Sequence, residues 1–274
     1  MSSKKLPQFV LFGDSLTEWS FEEETQGFGW YLKSWYEGKV EIINEGDYTS
    51  QNIKREFQAM IEKTTDPDTP SVLLVTIFLG ANDACLIGDG EYVALPKFEA
   101  NIREFVETIL IQDNLPDTKI VLITPPPINI PDPVLEDGEV DDMDLGPTMM
   151  AAMEAARGDP KAERGYRTYL SKKRYAEKIM QIANEYEETG RVAGLDYWRK
   201  LVDAGLEDQG RGAEDRYDEE RLPGCGLKTA KQFRKGYFTD GLHLDALAYQ
   251  VLSKALLELM LTRWPDLAPD RLSA

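Results

Sequence analysis

The chain has 274 residues, with 31 Lys and Arg against 49 Asp and Glu and a formal charge of −18. Phosphate and anionic-membrane surfaces are bound through clustered Lys and Arg, so this balance excludes nucleic acid and charged membrane as partners and favours a neutral small molecule. Much of the acidity reads as a solubilising shell. Hydrophobic residues at 42% suffice for one large core with additions, and residues 1–274 are read as one domain.

In chain order, strand-like runs fall near 8–13, 40–44, 71–79, 119–124 and 192–197, with helical patterns near 28–37, 50–63, 97–112, 166–188 and 245–262. Repeated βα order of this kind predicts a parallel sheet with helices on both faces, a doubly wound three-layer α/β/α sandwich of flavodoxin-like type. The last helix is the best signalled. Leu247, Val251, Leu252, Leu256, Leu259 and Met260 recur at helical spacing, with Asp245 near its start. Two insertions interrupt the pattern, near 131–165 and 203–236. Segments of this length are usually functional or disordered. The second leads directly into the chain's histidine and is read as a lid, a pocket wall or a surface decoration.

No apolar run is long enough to span a membrane. Met1 to Gln8 leads into the first strand without a signal-peptide core, and there is no Asn-X-Ser/Thr acceptor. The expectation is a cytoplasmic protein. Cys85 and Cys225 are too few for a disulfide framework and lack zinc-ligand spacing, so neither a metal nor a cofactor is expected. There is no phosphate-binding glycine loop, no G-x-G-x-x-G after a strand and no G-x-S-x-G elbow, which removes support for nucleotide enzymes and for the α/β-hydrolase fold. Whether the chain forms a homo-oligomer is left open.

Three short motifs carry chemistry. Gln8-Phe9-Val10-Leu11-Phe12 breaks into Gly13-Asp14-Ser15-Leu16, placing Ser15 at the carboxyl end of a buried strand, the rim where ligands bind in open α/β sheets. Either Ser15 presents its hydroxyl and N–H to the crevice, or Asp14 or Ser15 merely caps the next helix. Gly80-Ala81-Asn82-Asp83 follows the most apolar run, Ser71 to Leu79. Asn82 can point an amide N–H at a developing oxyanion, or simply make a turn. His243 is the sole histidine and stands three positions after Asp240, in Asp240-Gly241-Leu242-His243. An imidazole that shuttles protons must be held in one tautomer, usually by a carboxylate on its other nitrogen. Asp-Gly is also an ordinary turn signal.

In their order and spacing these three motifs resemble the signature blocks of the SGNH (GDSL) hydrolases, most closely the isoamyl-acetate-hydrolysing esterase branch. Ile120 to Ile128, Lys173-Arg174-Tyr175-Ala176 and Trp264-Pro265-Asp266-Leu267 are similar to that branch as well. The resemblance implies the SGNH hydrolase fold and a serine esterase acting on a small-molecule carboxylic ester, such as an acetate, without a cofactor. It implies Ser15 as nucleophile, His243 as general base and acid, and Asp240 as its orienting partner. The implied oxyanion hole combines the N–H of Ser15, a glycine N–H from a second block and the side chain of Asn82. That second block, Asn44-Glu45-Gly46-Asp47-Tyr48-Thr49-Ser50, departs from the family's asparagine followed by two glycines. Gly46 is its only glycine; an ungapped register makes Thr49 the N–H donor, whereas a small deletion makes it Gly46 or Asp47. A carbohydrate deacetylase or acyltransferase would use the same triad, and a non-catalytic binding protein on this fold is the alternative of a different class.

Overall fold

A computed structural model describes residues 5–46, 49–66, 68–131 and 159–272. Five strands, β1 (Gln8–Gly13), β2 (Glu41–Gly46), β3 (Val72–Phe78), β4 (Lys119–Ile123) and β5 (Val192–Leu195), form one parallel sheet in the order β2-β1-β3-β4-β5. Among the described residues there are seven α-helices: α1 (Ser15–Glu18), α2 (Phe28–Trp35), α3 (Lys54–Thr64), α4 (Leu95–Ile111), α5 (Arg164–Glu185), α6 (Tyr197–Asp208) and α7 (Ala246–Arg263).

The sheet is covered on both sides, which explains why its central strands are almost continuously apolar. Successive side chains of a strand point to opposite faces. Phe9 and Leu11 of β1, Leu74 and Phe78 of β3, and Val121 and Ile123 of β4 meet Phe28 and Leu32 of α2 and Leu252 and Leu256 of α7. The alternate residues Val10, Phe12, Val75, Ile77, Ile120 and Leu122 meet Phe57 and Met60 of α3, Phe98 and Phe105 of α4, and Ile179 of α5. In α7 the buried stripe includes Ala248, Tyr249, Leu252, Leu256 and Met260; Leu247, Val251 and Leu259 pack at its margin.

Two helices were not legible. α1 is a single turn, too short for a periodic signal. α6 begins where β5 was expected to continue, because Asp196 leaves the sheet and its carboxylate accepts the N–H of Arg199 at 3.0 Å, capping the helix. Gly205 weakens the helical pattern of α6, and the reason is tertiary: a Cβ there would lie 2.6 Å from the Phe233 ring.

The insertion at 203–236 therefore starts as the end of α6. The rest of it is packed: Leu222, Cys225 and Leu227 join Tyr166 and Tyr169 of α5 and Trp198, Val202 and Leu206 of α6 in a third apolar cluster. Asn129, after β4, pins it by accepting the Phe233 N–H on its side chain at 2.9 Å, while the Ile130 N–H donates to the Gly224 carbonyl at 2.9 Å. The expected insertion at 131–165 lies mostly outside the described residues.

All five strands end on one rim. The chain passes from β1 to its neighbour on one side, β2, and then returns to its neighbour on the other side, β3. Such a switch point leaves a crevice at the carboxyl ends of the strands. β1, β3 and α1 crowd together so closely there that a Cβ on Gly13 would sit 2.1 Å from Thr17 Oγ1 of α1 and 2.5 Å from the Phe78 carbonyl of β3. Gly13→Ala is expected to destabilise the protein by about 1–3 kcal/mol through overpacking, read as a lower urea midpoint; an unchanged midpoint would show that the turn accommodates a methyl group.

Candidate active site

Asp14, not Ser15, is the cap of α1. Its carboxylate accepts the Leu16 N–H at 3.0 Å, and its carbonyl accepts from Thr17 and Glu18 at 2.8 and 3.0 Å. Ser15 is the first helical residue, so its hydroxyl is not committed to capping. Ser15 Oγ lies 3.2 Å from His243 Nε2.

The histidine arrives on a loop closed by an antiparallel bridge between Phe238 and Leu244. The Thr239 N–H donates to the His243 carbonyl at 3.0 Å, and the Asp245 N–H to the Tyr237 carbonyl at 2.9 Å. Gly241 turns this loop at φ +89°, where a Cβ would lie 2.6 Å from the Asn129 carbonyl, and its own carbonyl accepts the Asn129 N–H at 2.8 Å. Only glycine meets both the conformation and the close approach.

Asp240 contacts both the backbone of its own turn and the imidazole. Oδ1 accepts the N–H groups of Leu242 and His243 at 3.0 and 2.8 Å, making the turn, and Oδ2 lies 2.6 Å from His243 Nδ1. Partial burial pushes the Asp240 carboxyl up, but the hydrogen bonds from the His243 ring and the two N–H groups outweigh it and hold the group below the usual carboxylate range. The two ring nitrogens of His243 thus face different partners, Nδ1 the Asp240 carboxylate and Nε2 the Ser15 hydroxyl. The Trp19 indole stacks on the imidazole with centroids 4.0 Å apart and an interplanar angle of 28°. Trp19 was not singled out in the sequence; its signal is position, four residues after Ser15 on one helical turn.

Asn82 is half-buried in the turn after β3, where Gly80 adopts φ +109° against Phe98 and Pro125. Gly46 ends β2 in register with Gly13, and a Cβ on it would stand 3.1 Å from Glu18 Cβ and 3.6 Å from the Asp14 carbonyl oxygen. Thr49 is buried and caps the approach to α3, its hydroxyl accepting the Asn52 N–H at 3.2 Å. Gly46 thus borders the turn that carries Ser15 directly, while the Thr49 hydroxyl serves the approach to the neighbouring helix. Asp47 lies outside the described residues.

Beneath these turns sits a cluster that sequence reading missed. Asp14 and Asp83 are fully buried and Lys172 of α5 is 2% exposed. Burial pushes the Asp14 carboxyl up to about 7 against the opposing Leu16 N–H, with Asp83 adding repulsion and Lys172 attraction. Burial likewise raises Asp83 to about 6, although Ser50 donates to it from both its hydroxyl and its N–H. Among the described residues Asp14 Oδ2 has no partner at full hydrogen-bonding geometry, although the Ala81 N–H also acts on this carboxyl.

Neither cysteine is poised as a nucleophile. Burial raises both thiols, and both are free. Among the described residues no group of three or more His, Cys, Asp or Glu could hold a metal ion, and no helix is long and apolar enough to cross a membrane. A cleft of about 600 Å³ between α5 and α6, lined by Trp198, Arg216 and Tyr217, contains none of the Ser15, Asp240 and His243 set. A smaller cavity of about 190 Å³ also contains none of that set; it is lined by Trp19, which stacks on His243, and by Glu22, Thr25, Thr239, Leu244 and Tyr249.

Residues 9–256 match the GDSL-like lipase/acylhydrolase family, and the chain belongs to that family. It is similar to the isoamyl acetate-hydrolyzing esterase of Saccharomyces cerevisiae, at 29% identity over 229 residues, covering 77% of this chain and 83% of that one. It is also similar to the isoamyl acetate-hydrolyzing esterase 1 homolog of Bos taurus, at 35% identity over 126 residues, covering 44% of this chain and 49% of that one. The chain spans about half the length of the mammalian relatives it matches. Among solved structures, the acetyl xylan esterase AlAXEase superposes with a TM-score of 0.59 at 14% identity, covering 92% of this chain and 98% of that one. A catalytic mutant of Axe2, an acetylxylan esterase from Geobacillus stearothermophilus, superposes with a TM-score of 0.56 at 17% identity, covering 94% and 95%. At these identities the likeness is one of fold.

The buried carboxyls generate a pH prediction. Asp14 is raised from 3.8 to about 7, so folding favours its protonated form. Its contribution to stability is fully present below the unfolded value near 4 and is lost as pH rises through about 7. Asp14→Asn, which keeps the group neutral, should therefore gain stability relative to the native protein between pH 5 and pH 8 in urea titrations. A difference in midpoint that does not change with pH would show that Asp14 stays ionised throughout.

Proposed function

We propose that the protein is a serine esterase that hydrolyses small carboxylic esters through an acyl-enzyme, and that residues 1–274 act as a single hydrolase domain. One observation carries this reading: Ser15 Oγ, His243 Nε2, His243 Nδ1 and Asp240 Oδ2 form a continuous relay with separations of 3.2 and 2.6 Å. Neutral His243 accepts the Ser15 proton as Oγ adds to the ester carbonyl. The resulting imidazolium is stabilised by Asp240 and returns the proton to the departing alcohol. Water, activated by the same ring, then releases the acid.

The oxyanion is assigned to the N–H of Ser15, the Asn82 side chain and a backbone N–H of the second block, with Gly46 favoured by its place beside the Asp14 carbonyl. The stacked Trp19 restricts the imidazole to the plane that serves both Asp240 and Ser15 and shields it from water. The cavity beside Trp19, at about 190 Å³, falls below the range of about 300–1,000 Å³ usual for drug-sized ligands. Its lining holds none of Ser15, Asp240 and His243, so the preference for a short acyl or alcohol group, as in an acetate, rests on the likeness to the isoamyl acetate-hydrolyzing esterases.

Labelling with a fluorophosphonate probe followed by peptide mapping tests the nucleophile. Modification is expected at Ser15, and Ser15→Ala should abolish both labelling and ester turnover; label on another serine rejects the assignment. Rates on p-nitrophenyl acetate, longer acyl esters and acetylated sugars separate a short-chain esterase from a carbohydrate deacetylase.

Asn82→Ala should lower kcat by about 100- to 1,000-fold with a smaller change in KM, because its bond forms chiefly to transition-state charge. Asp240→Asn should lower kcat by up to about 10,000-fold through loss of the correct tautomer. Near-normal turnover by the second variant would remove Asp240 from the mechanism.

A further inference from the structure

Lys172 lies in the middle of α5 on the face that also buries Tyr169, Tyr175, Ala176 and Ile179. An apolar side chain would fill that position without the cost of removing an ammonium from water, and a buried charge persists only where it is paired and hydrogen-bonded. Its Nζ donates to the carbonyl of Ala81. That carbonyl belongs to the peptide joining Ala81 to Asn82, so the bond restrains the plane from which Asn82 projects. The charge of Lys172 also acts on Asp14, which precedes Ser15, and on Asp83, which follows Asn82. The half-buried Cys85 thiol is the other titratable group acting on it.

The two carboxyls are tied in turn to different elements. Asp14 holds the Leu16 N–H. Asp83 holds Ser50, whose hydroxyl accepts from Asn101 Nδ2 of α4 at 3.0 Å. The Lys172 ammonium thus stands between the turn bearing Ser15 and the turn bearing Asn82, and it donates a hydrogen bond to the second.

We propose that Lys172 is a positioning residue that clamps the Ala81–Asn82 peptide and thereby aims the Asn82 amide at the oxyanion. This inference rests on the reading of Ser15 as nucleophile and Asn82 as oxyanion donor. A displacement of about 1 Å in a catalytic group costs on the order of 100-fold in rate, so loosening the clamp should forfeit part of what Asn82 contributes.

A double-mutant cycle tests it, with kcat expressed per fluorophosphonate-titrated site so that misfolded protein is not counted. Lys172→Met is expected to lower kcat by about 10- to 100-fold with little change in KM. In an Asn82→Ala background the same substitution should cost less than about threefold, because the group it aims is gone. Lys172→Arg, run through the same cycle, keeps the charge and should recover part of the loss.

Equal losses in both backgrounds, or a kcat per titrated site within about twofold of the native value, overturn the proposal. Failure of both Lys172 variants to fold also overturns it, leaving the lysine a folding element. Ser15→Ala measured in parallel distinguishes the two levels: retained turnover there rejects the esterase site itself, whereas an additive cycle with an inactive Ser15→Ala rejects only the role of Lys172.

Discussion

Ser15 and His243 are 228 positions apart yet meet at 3.2 Å, and the arrangement of the rim depends on how α7 achieves this. The helix follows the histidine loop immediately. Its first turns are locked to the sheet by Ala248, Tyr249 and Leu252, and the Tyr249 hydroxyl donates to the Leu16 carbonyl at 2.8 Å. One side chain therefore joins the helix that seats the imidazole to the turn that carries the serine. Asp245 caps α7 at its start through the Ala246 N–H at 2.7 Å, so the histidine loop cannot slide along the helix without losing that cap. Asn129 braces the loop from the opposite side through Gly241 and also holds the 203–236 insertion through Phe233. Apolar packing remote from the rim thus sets a distance on which proton transfer would depend.

A second constraint is the cost of charge beneath the rim. Two carboxyls and one ammonium occupy a buried layer under the turn that carries Ser15, and burial raises both carboxyls. Such groups are expensive unless paired, and Asp14 is held by the Leu16 and Ala81 N–H groups and the Lys172 charge. Asp14 nevertheless performs a local task that leaves Ser15 uncommitted, because its carboxylate takes over the cap.

The formal charge of −18 bears on the rim only weakly. Asp240 is 56% exposed at its side chain while His243 is 18% exposed, so water and salt screen distant charges from the carboxylate. The imidazole answers mainly to what touches it: Asp240 on one nitrogen, Ser15 on the other and Trp19 on its face. Proximity, rather than net charge, governs its tautomer.

The sequence by itself determined the parallel sheet, because apolar runs alternating with amphipathic helices have few ways to bury both kinds of surface. It also marked Ser15, Asn82, Asp240 and His243 as candidates, since each lies in a short motif that breaks a strand or precedes a helix. Their convergence on one rim was a decision of tertiary structure, as were the cap role of Asp14, the Trp19 stack, the fit around Gly205 and the burial of Lys172. These depend on contacts between segments that share no local pattern. A lysine in an amphipathic helix reads as solvent-facing, and the approach of the Asp14 turn and of the Gly80 to Asp83 turn gives its ammonium partners inside the protein.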